Sequence, residues 1–257
     1  MKKEPLLIVK IGGQLLEREV ELSGLLDEVV AYPGPQLLVH GGGKKATELA
    51  QRLGLEVQMI AGRRVTDAAS LEIAAMVYAG WYNKRLVAQL QGRGQTALGL
   101  CGADLDLIRC RKRAPQPVDY GWVGDIEAVE VGALLPLLRA GICPVFSAIT
   151  HDGKGQLLNT NADTIATQLA IALAPHFAVD LRYCLELPGV LVEVDQPESQ
   201  LARLNQSDYR DLLRSGQIKG GMIPKLDNAF RAHQQSVSTV RIGNPHSLFN
   251  QSATQIC

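Results

Sequence analysis

Twice within the first 50 residues a short, almost wholly apolar run stops at adjacent glycines and gives way to text of helical period: PLLIVKIGG at 5–13, then QLLVHGGG at 36–43. An apolar run this short, closed by glycine and showing no alternation, reads as a strand buried on both faces. Between the two runs Leu22, Leu25, Leu26, Val29 and Val30 recur at helical spacing until YPGP ends the pattern. After the second, Ala46, Leu49, Ala50 and Leu53 fall on one helical face. Strand, helix, strand, glycines, helix is the order of a parallel α/β structure. The expectation is therefore a three-layer αβα sandwich around a central, mostly parallel open sheet.

The alternation continues. Helical text runs from about Asp67 to Leu90, TALGLCGAD reads as a strand and loop, and LIRCRKRAPQPVDYGWVGDIEAVE predicts a hairpin excursion. VGALLPLLRAGICPVFSAIT restores helix then strand. HDGKGQLLNTNADTIATQLAIALA holds an Asp/Gly turn and a helix with Ile165, Leu169 and Leu173 four apart, capped by Asn161 or Asp163. From about residue 177, AVDLRYCLELPGVLVEVDQP is strand-like, SDYRDLLRSGQ and GGMIPKLDNAFRAHQQ are helical, and STVRIGN is the last strand. A second lobe is placed there, giving domains 1–176 and 177–257.

Bulk properties exclude several classes. The 26 Lys and Arg balance 26 Asp and Glu, so overall charge offers no reason to expect nucleic acid or an anionic membrane as partner. The five cysteines are odd in number and show no C-x-x-C spacing, which suggests neither a disulfide framework nor a zinc site and fits a reducing cytoplasm. No apolar run approaches the roughly 20 residues of a membrane span, and Lys10 interrupts the first one before signal-peptide length. A soluble cytoplasmic protein is expected.

Glycines without side chains let backbone amides approach an anion. The GGGKKA stretch matches the dinucleotide fingerprint in its alanine form, but where an acidic residue should follow roughly 20 positions later the chain carries Arg63 and Arg64. A P-loop fails too, since Lys45 replaces its Ser or Thr and Leu38 its first glycine. The remaining choices are a turn that packs a helix against the sheet, or an anion site of another kind. Lys10 stands at the carboxyl end of the first strand, where ligands of open parallel sheets bind, and is either a snorkelling residue or a cation aimed at an anion. Arg64 in GRRVT is a possible planar clamp for a carboxylate. Asn159, Asn161 and Asp163 in NTNAD, and Lys225 in GGMIPK, lie near helix starts, where capping and solvated charge are the competing readings.

In this order KIGG (10–13), VHGGG (39–43), GRRVT (62–66), LLNTNAD (157–163) and GGMIPK (220–225) resemble the amino-acid kinase superfamily, and within it the branch that phosphorylates N-acetylglutamate in arginine biosynthesis. The motifs span almost the whole chain. The resemblance implies an ATP-dependent phosphotransferase with the amino-acid kinase fold, its first lobe binding the acylglutamate and dimerising, its second binding ATP. By position, Lys10 and Lys225 resemble the lysines that stabilise charge on the transferred phosphoryl group, and Asp163 the carboxylate that orients both. Gly12 and Gly13 resemble amide donors of the reacting centre; Gly42, Gly43, Arg64, Asn159 and Asn161 resemble the residues around the acylated amino acid. Glu186, Leu187, Gly189, Val190 and Leu191, with Gln217, Ile218 and Lys219, align with the nucleotide-binding surface.

Two positions depart from the family pattern. CLELPGV carries Glu186 where an Asp is usual, with Pro188 nearby, and Leu105 stands where the family often has glycine. The acceptor carboxylate, with an ordinary pKa near about 4.3, is ionised at pH 7, so no general base is required and His40 is expected to be structural. Mg²⁺ is expected to arrive with ATP, with no metal site built from the protein itself. RCRKR at 109–113 is expected to be a solvated hairpin face. Strand-like text begins by about residue 6, which leaves no room for the N-terminal helix that links arginine-inhibited members of the family into hexamers. The resemblance therefore implies a homodimer without arginine feedback. The acyl group, acetyl or succinyl, stays open, as do another amino-acid kinase and a non-catalytic acylglutamate-binding regulatory protein.

Overall fold

The computed structural model describes residues 3–60, 63–193 and 195–257, and of residue 63 the backbone alone; Gly62 of the GRRVT motif thus lies outside the described residues. Two compact units compose the chain: residues 1–36 with 166–257, and residues 37–165.

The first unit opens with β1 (Pro5–Ile11), in which every residue from Leu6 to Ile11 is buried. Burial at consecutive positions means both faces of the strand are covered, as the missing alternation predicted. The helix α1 (Glu19–Val30) buries Leu22, Leu25, Leu26 and Val29, the apolar stripe expected.

The unit of residues 37–165 holds most of β2 (Gln36–His40), then α2 (Gly43–Arg52), the two-residue strands β3 (Met59–Ile60) and β4 (Arg63–Arg64), α3 (Ala68–Ala75), α4 (Asn83–Gln91) and β5 (Ala97–Leu100). The hairpin excursion is β6 (Ile108–Lys112) and β7 (Gly124–Val129), paired antiparallel. There follow α5 (Val131–Arg139), β8 (Cys143–Ser147), β9 (Ile149–His151), β10 (Leu157–Asn159) and the start of α6 (Ala162–Leu173). β2 and β5 flank β8, both parallel to it, while β10, β9, β6 and β7 form a smaller sheet. Of RCRKR, Arg109, Arg111 and Lys112 are exposed and Cys110 is buried.

Continuing the first unit, α6 buries Ile165, Leu169 and Leu173 completely, and its start is capped by Asn161, whose Oδ1 accepts from the Thr164 amide at 3.1 Å. β11 (Ala178–Cys184) pairs parallel with β1. After β12 (Arg203–Leu204), α7 (Gln206–Arg214), α8 (Met222–Gln234) and β13 (Thr239–Gly243), the chain adds α9 (Pro245–Phe249) and β14 (Thr254–Ile256). Strand order within this unit is β12-β14-β13-β11-β1, all parallel neighbours except the antiparallel β13–β14 pair. The α/β class with mostly parallel sheet is borne out.

Four local readings change. STVRIGN is not the last strand: Asn244 forms a capping box with Ser247 that starts α9, and β14 then pairs back on β13. Beyond Cys184 the described residues of the strand-like text LELPGVLVEVDQP form no strand; Leu191 makes an isolated bridge to Gln200. Leu53 is past the end of α2 and 61% exposed, so it takes no part in the buried face. The helical run from Asp67 is interrupted by a π-helical segment, Met76–Tyr82.

Candidate active site

In the unit of residues 1–36 and 166–257, β1 delivers Lys10, Gly12 and Gly13 to its carboxyl end. Lys10 is only 6% exposed, far less than a lysine solvated at the sheet edge would be. Its neighbour across the ladder is Tyr183 on β11. The Tyr183 hydroxyl lies 2.6 Å from the hydroxyl of Thr167 on α6, and Thr167 in turn donates to Asn228 on α8 at 3.2 Å. Asn228 lies in the middle of α8, three residues beyond Lys225, so this hydrogen-bond chain ties that helix to the strand beside Lys10.

The two glycines after Lys10 differ in what they are for. The Gly12 amide donates to the Cys184 carbonyl at 2.8 Å, and a Cβ on Gly12 would lie 2.9 Å from that oxygen. Gly12 is thus required by the close approach of β11. A Cβ on Gly13 would meet nothing within 4 Å, and the same holds for Gly220 and Gly221 before α8. Packing does not demand glycine at these three positions. Gly220 takes a left-handed φ of +55°, which itself favours glycine; at Gly13 and Gly221 the space beside the backbone is open, and the start of α8 suits an anion.

The stretch aligned with the nucleotide surface is divided. Glu186 and Leu187 are half-buried, whereas Gly189, Val190 and Leu191 are buried. A Cβ on Gly189 would sit 2.5 Å from Thr254 Oγ1, and that hydroxyl accepts from the Val190 amide at 2.8 Å, so these three residues fasten the loop to β14. Glu186 lines a cleft of about 590 Å³ together with Leu15, Arg18, Asn244 and His246. Gln217 and Lys219 are exposed on the α7–α8 connection while Ile218 is 4% exposed.

In the unit of residues 37–165 the acceptor candidates are connected. Two residues past the end of β2, Gly42 takes φ +153° and precedes α2. Arg64 Nη2 donates to the Gly43 carbonyl at 2.9 Å and to Thr47 Oγ1 at 2.6 Å. The Thr66 hydroxyl donates to the Arg64 carbonyl at 3.3 Å and accepts from Asn159 Nδ2 at 3.0 Å. Gly43, Arg64, Thr66 and Asn159 therefore form one continuous array across 116 positions of sequence. A Cβ on Gly41 would lie 3.9 Å from that of Ala162, which brings the glycine turn beside the start of α6. There Asp163 is 4% exposed and Asn161 is an exposed cap.

His40 is fully buried. Asn83 Nδ2 donates to the Val145 carbonyl at 2.7 Å and, at 3.2 Å, to His40 Nε2. Nε2 is thereby an acceptor, leaving the proton on Nδ1, which donates to the Gly41 carbonyl at 2.8 Å. A neutral histidine locked at both nitrogens supports the glycine turn, in keeping with its expected structural role. All five cysteines are free thiols. Burial pushes Cys143 up to about 12. It also raises Cys184, against the opposing pull of Lys10.

Sequence reasoning did not single out Thr47, Thr66, Tyr78 or Tyr82. The signal available for the first was its spacing, one helical turn after Gly43; the tyrosines carried none, because two aromatics four apart in a helix read as core.

The chain matches the Amino acid kinase family over residues 5–244. An acetylglutamate kinase of Phocaeicola vulgatus is 48% identical over 254 residues, covering 99% of each chain. That of Bacteroides fragilis is 46% identical over 254 residues, covering 99% of this chain and 97% of the relative. Among solved structures, N-acetylglutamate synthase of Neisseria gonorrhoeae, complexed with coenzyme A and N-acetyl-glutamate, aligns over all of this chain and 60% of its own, with TM-score 0.82 and 23% identity. That likeness speaks for the fold alone.

Proposed function

Since this chain belongs to the amino acid kinase family, we propose that it transfers the γ-phosphoryl of ATP to the side-chain carboxylate of N-acetyl-L-glutamate, or of a close N-acylglutamate, in arginine biosynthesis. The observation that carries this reading is the array Gly43–Arg64–Thr66–Asn159, in a chain 46–48% identical to acetylglutamate kinases over 99% of its length. Guanidinium, hydroxyl and amide set close together suit an acceptor that bears a carboxylate and an amide.

The acceptor carboxylate is already ionised at pH 7, so nothing needs to remove a proton. The barrier is the approach of one anion to another, and catalysis of phosphoryl transfer rests on positioning and on cations and amide donors where charge spreads. In this reading Lys10 and Lys225 stabilise the charge of the transferred group, and Asp163 is their orienting carboxylate. The Gly12 amide is taken by the Cys184 carbonyl, so the amide donors of this reading are those of Gly13, Gly42 and Gly43. The open space beside Gly13 and Gly221 suits an approaching phosphate. Mg²⁺ enters with the nucleotide and neutralises phosphate charge. The division of labour follows the expected lobes: acceptor and dimer contacts in residues 1–176, and ATP in 177–257, with Glu186, Leu187 and Gln217–Lys219 on the nucleotide side. The particle is a cytoplasmic homodimer.

A coupled ADP-release assay across N-acetylglutamate, N-succinylglutamate, glutamate, aspartate and carbamate tests the acceptor. Lys225→Ala is expected to lower kcat by about 100- to 1,000-fold with the fold retained. Turnover near wild type in that variant, or preference for a non-acylated acceptor, overturns the assignment.

A further inference from the structure

The two lysines of the proposed site stand on separate elements, Lys10 on β1 and Lys225 on α8, and a buried polar chain joins those elements. Lys10 and Tyr183 are partners in the parallel β1–β11 ladder, so their side chains leave the sheet on the same face. On that face stands α6: the Tyr183 hydroxyl lies 2.6 Å from Thr167 Oγ1. Thr167 donates to Asn228 Oδ1 on α8 at 3.2 Å. The other end of that amide is occupied too, since Asn228 Nδ2 donates to the Pro224 carbonyl at 2.8 Å. This second bond settles which way the amide faces and clamps it to the residue before Lys225.

Thr167 has no exposed surface and Tyr183 is 1% exposed, in a core that otherwise buries Ile8, Leu169 and Leu181. Apolar side chains at 167 and 183 would fill such space without a polar group to desolvate, whereas a buried hydroxyl is costly unless its hydrogen bond is made. What the chain supplies beyond apolar packing is direction. A hydrogen bond constrains distance and angle together, so it resists the sliding of a helix along a sheet that methyl contacts permit. Thr167 is the centre of the chain, bonded on both sides. Lys225 lies about one helical turn before Asn228, and Gly221 leads into the same turn. The Thr167–Asn228 bond therefore sets where Lys225 sits relative to β11 and, through the ladder, to Lys10. Two cations on separate elements serve one phosphoryl group only at a fixed separation, and misplacement by about 1 Å can cost roughly 100-fold in rate.

Resting on the acylglutamate kinase reading above, we propose that Thr167 is a positioning residue for phosphoryl transfer: its hydroxyl, bonded to Tyr183 and to Asn228, fixes α8 and so Lys225 against the strand pair that carries Lys10. Wholly buried, Thr167 touches no reacting atom; it acts through the two lysines.

Thr167→Val keeps size and branching and removes the hydroxyl. The expected result is a kcat lowered about 10- to 100-fold with the KM values for ATP and N-acetylglutamate within about twofold of wild type, the pattern of an interaction felt in the transition state alone. Thr167→Ser keeps the hydroxyl and loses a methyl group, so it is expected to melt below wild type yet recover kcat to within about threefold. A merely structural threonine would lower the melting temperature in both variants and leave the kcat of folded protein unchanged. Asn228→Ala breaks the same link from the half-buried side of α8 and is expected to lower kcat as well, which keeps the measurement available should Thr167→Val not fold. Because Thr167 acts through Lys225, adding Thr167→Val to Lys225→Ala is expected to lower kcat by less than about twofold further. Wild-type kcat in folded Thr167→Val or Asn228→Ala, no recovery in Thr167→Ser, a rise in KM without a fall in kcat, or full additivity in the double variant overturns the inference and leaves the kinase reading intact. A wild-type protein that phosphorylates no acylglutamate overturns both.

Discussion

At the scale of single residues, glycine serves two separable purposes here, and the distinction is measurable. Gly42 combines φ +153° with ring carbons 2.7 and 2.8 Å from where a Cβ would be. Gly42→Ala is therefore expected to lose about 3 kcal/mol of stability from backbone strain and overpacking together. Gly13 has open space instead, so Gly13→Ala is expected to melt within a degree or two of wild type yet turn over at least tenfold more slowly, its methyl group lying where an anion would approach an amide. Thermal denaturation and kcat measured on both variants check this; a Gly13→Ala enzyme of full activity would show that nothing approaches there. Leu105 illustrates a different relation between residue and backbone. It occupies the left-handed region, φ 52°, ψ 23°, with its side chain 62% exposed, a conformation that is easier for glycine, the residue the resemblance led one to expect at this position.

Among the elements, caps were more legible than irregularities. Asp67 stands immediately before α3, and its Oδ1 accepts from the Ser70 amide at 2.7 Å. That bond holds its carboxyl below the ordinary range. A depressed carboxylate pKa contributes stability that is complete above the unfolded-state value and is lost as pH falls through the folded-state value. Asp67→Ala is thus expected to cost about 1 kcal/mol at pH 7, and the gap from wild type to shrink as pH drops from about 5 toward 3. Urea denaturation at each pH measures it; a gap that stays constant would show that the charge plays no part. By contrast, the π-helical turn at Met76–Tyr82 could not be anticipated, because its apolar spacing is indistinguishable from an α-helix over so few residues. The two elements after β13 were missed for a related reason. α9 has five residues and β14 three, too short for a period to show, although Asn244-Pro245 is itself a start signal.

For the molecule as a whole, association is the property to test. Met76 and Trp81, on the stretch that also carries the inward tyrosines, are 53% and 56% exposed. Large exposed apolar side chains mark contact surfaces, and in the homodimer proposed above a second copy of the chain is their occupant. Trp81→Asp is expected to shift the sedimentation coefficient from dimer toward monomer at micromolar concentration, with the monomer's secondary structure unchanged. A species unaltered by the substitution would place the contact elsewhere. Among the described residues no helix is long and apolar enough to cross a membrane.

The family was legible from the resemblance of its motifs. The fold class and the main alternation of strands and helices through β13, apart from the short strands β3, β4, β10 and β12, were legible in the linear text, because side-chain direction along a strand or helix is set by local dihedrals and writes a period into the sequence. The motif glycines and Lys10 were visible for the same reason: each interrupts a pattern. What the tertiary structure alone decided is which interruptions answer to packing and which do not. Gly12 and Gly189 press against β11 and Thr254, Gly13 against nothing, and Arg64 meets Thr47 and Gly43 from 17 and 21 positions away. Such contacts depend on where remote segments converge when the core closes, and no local period carries that information.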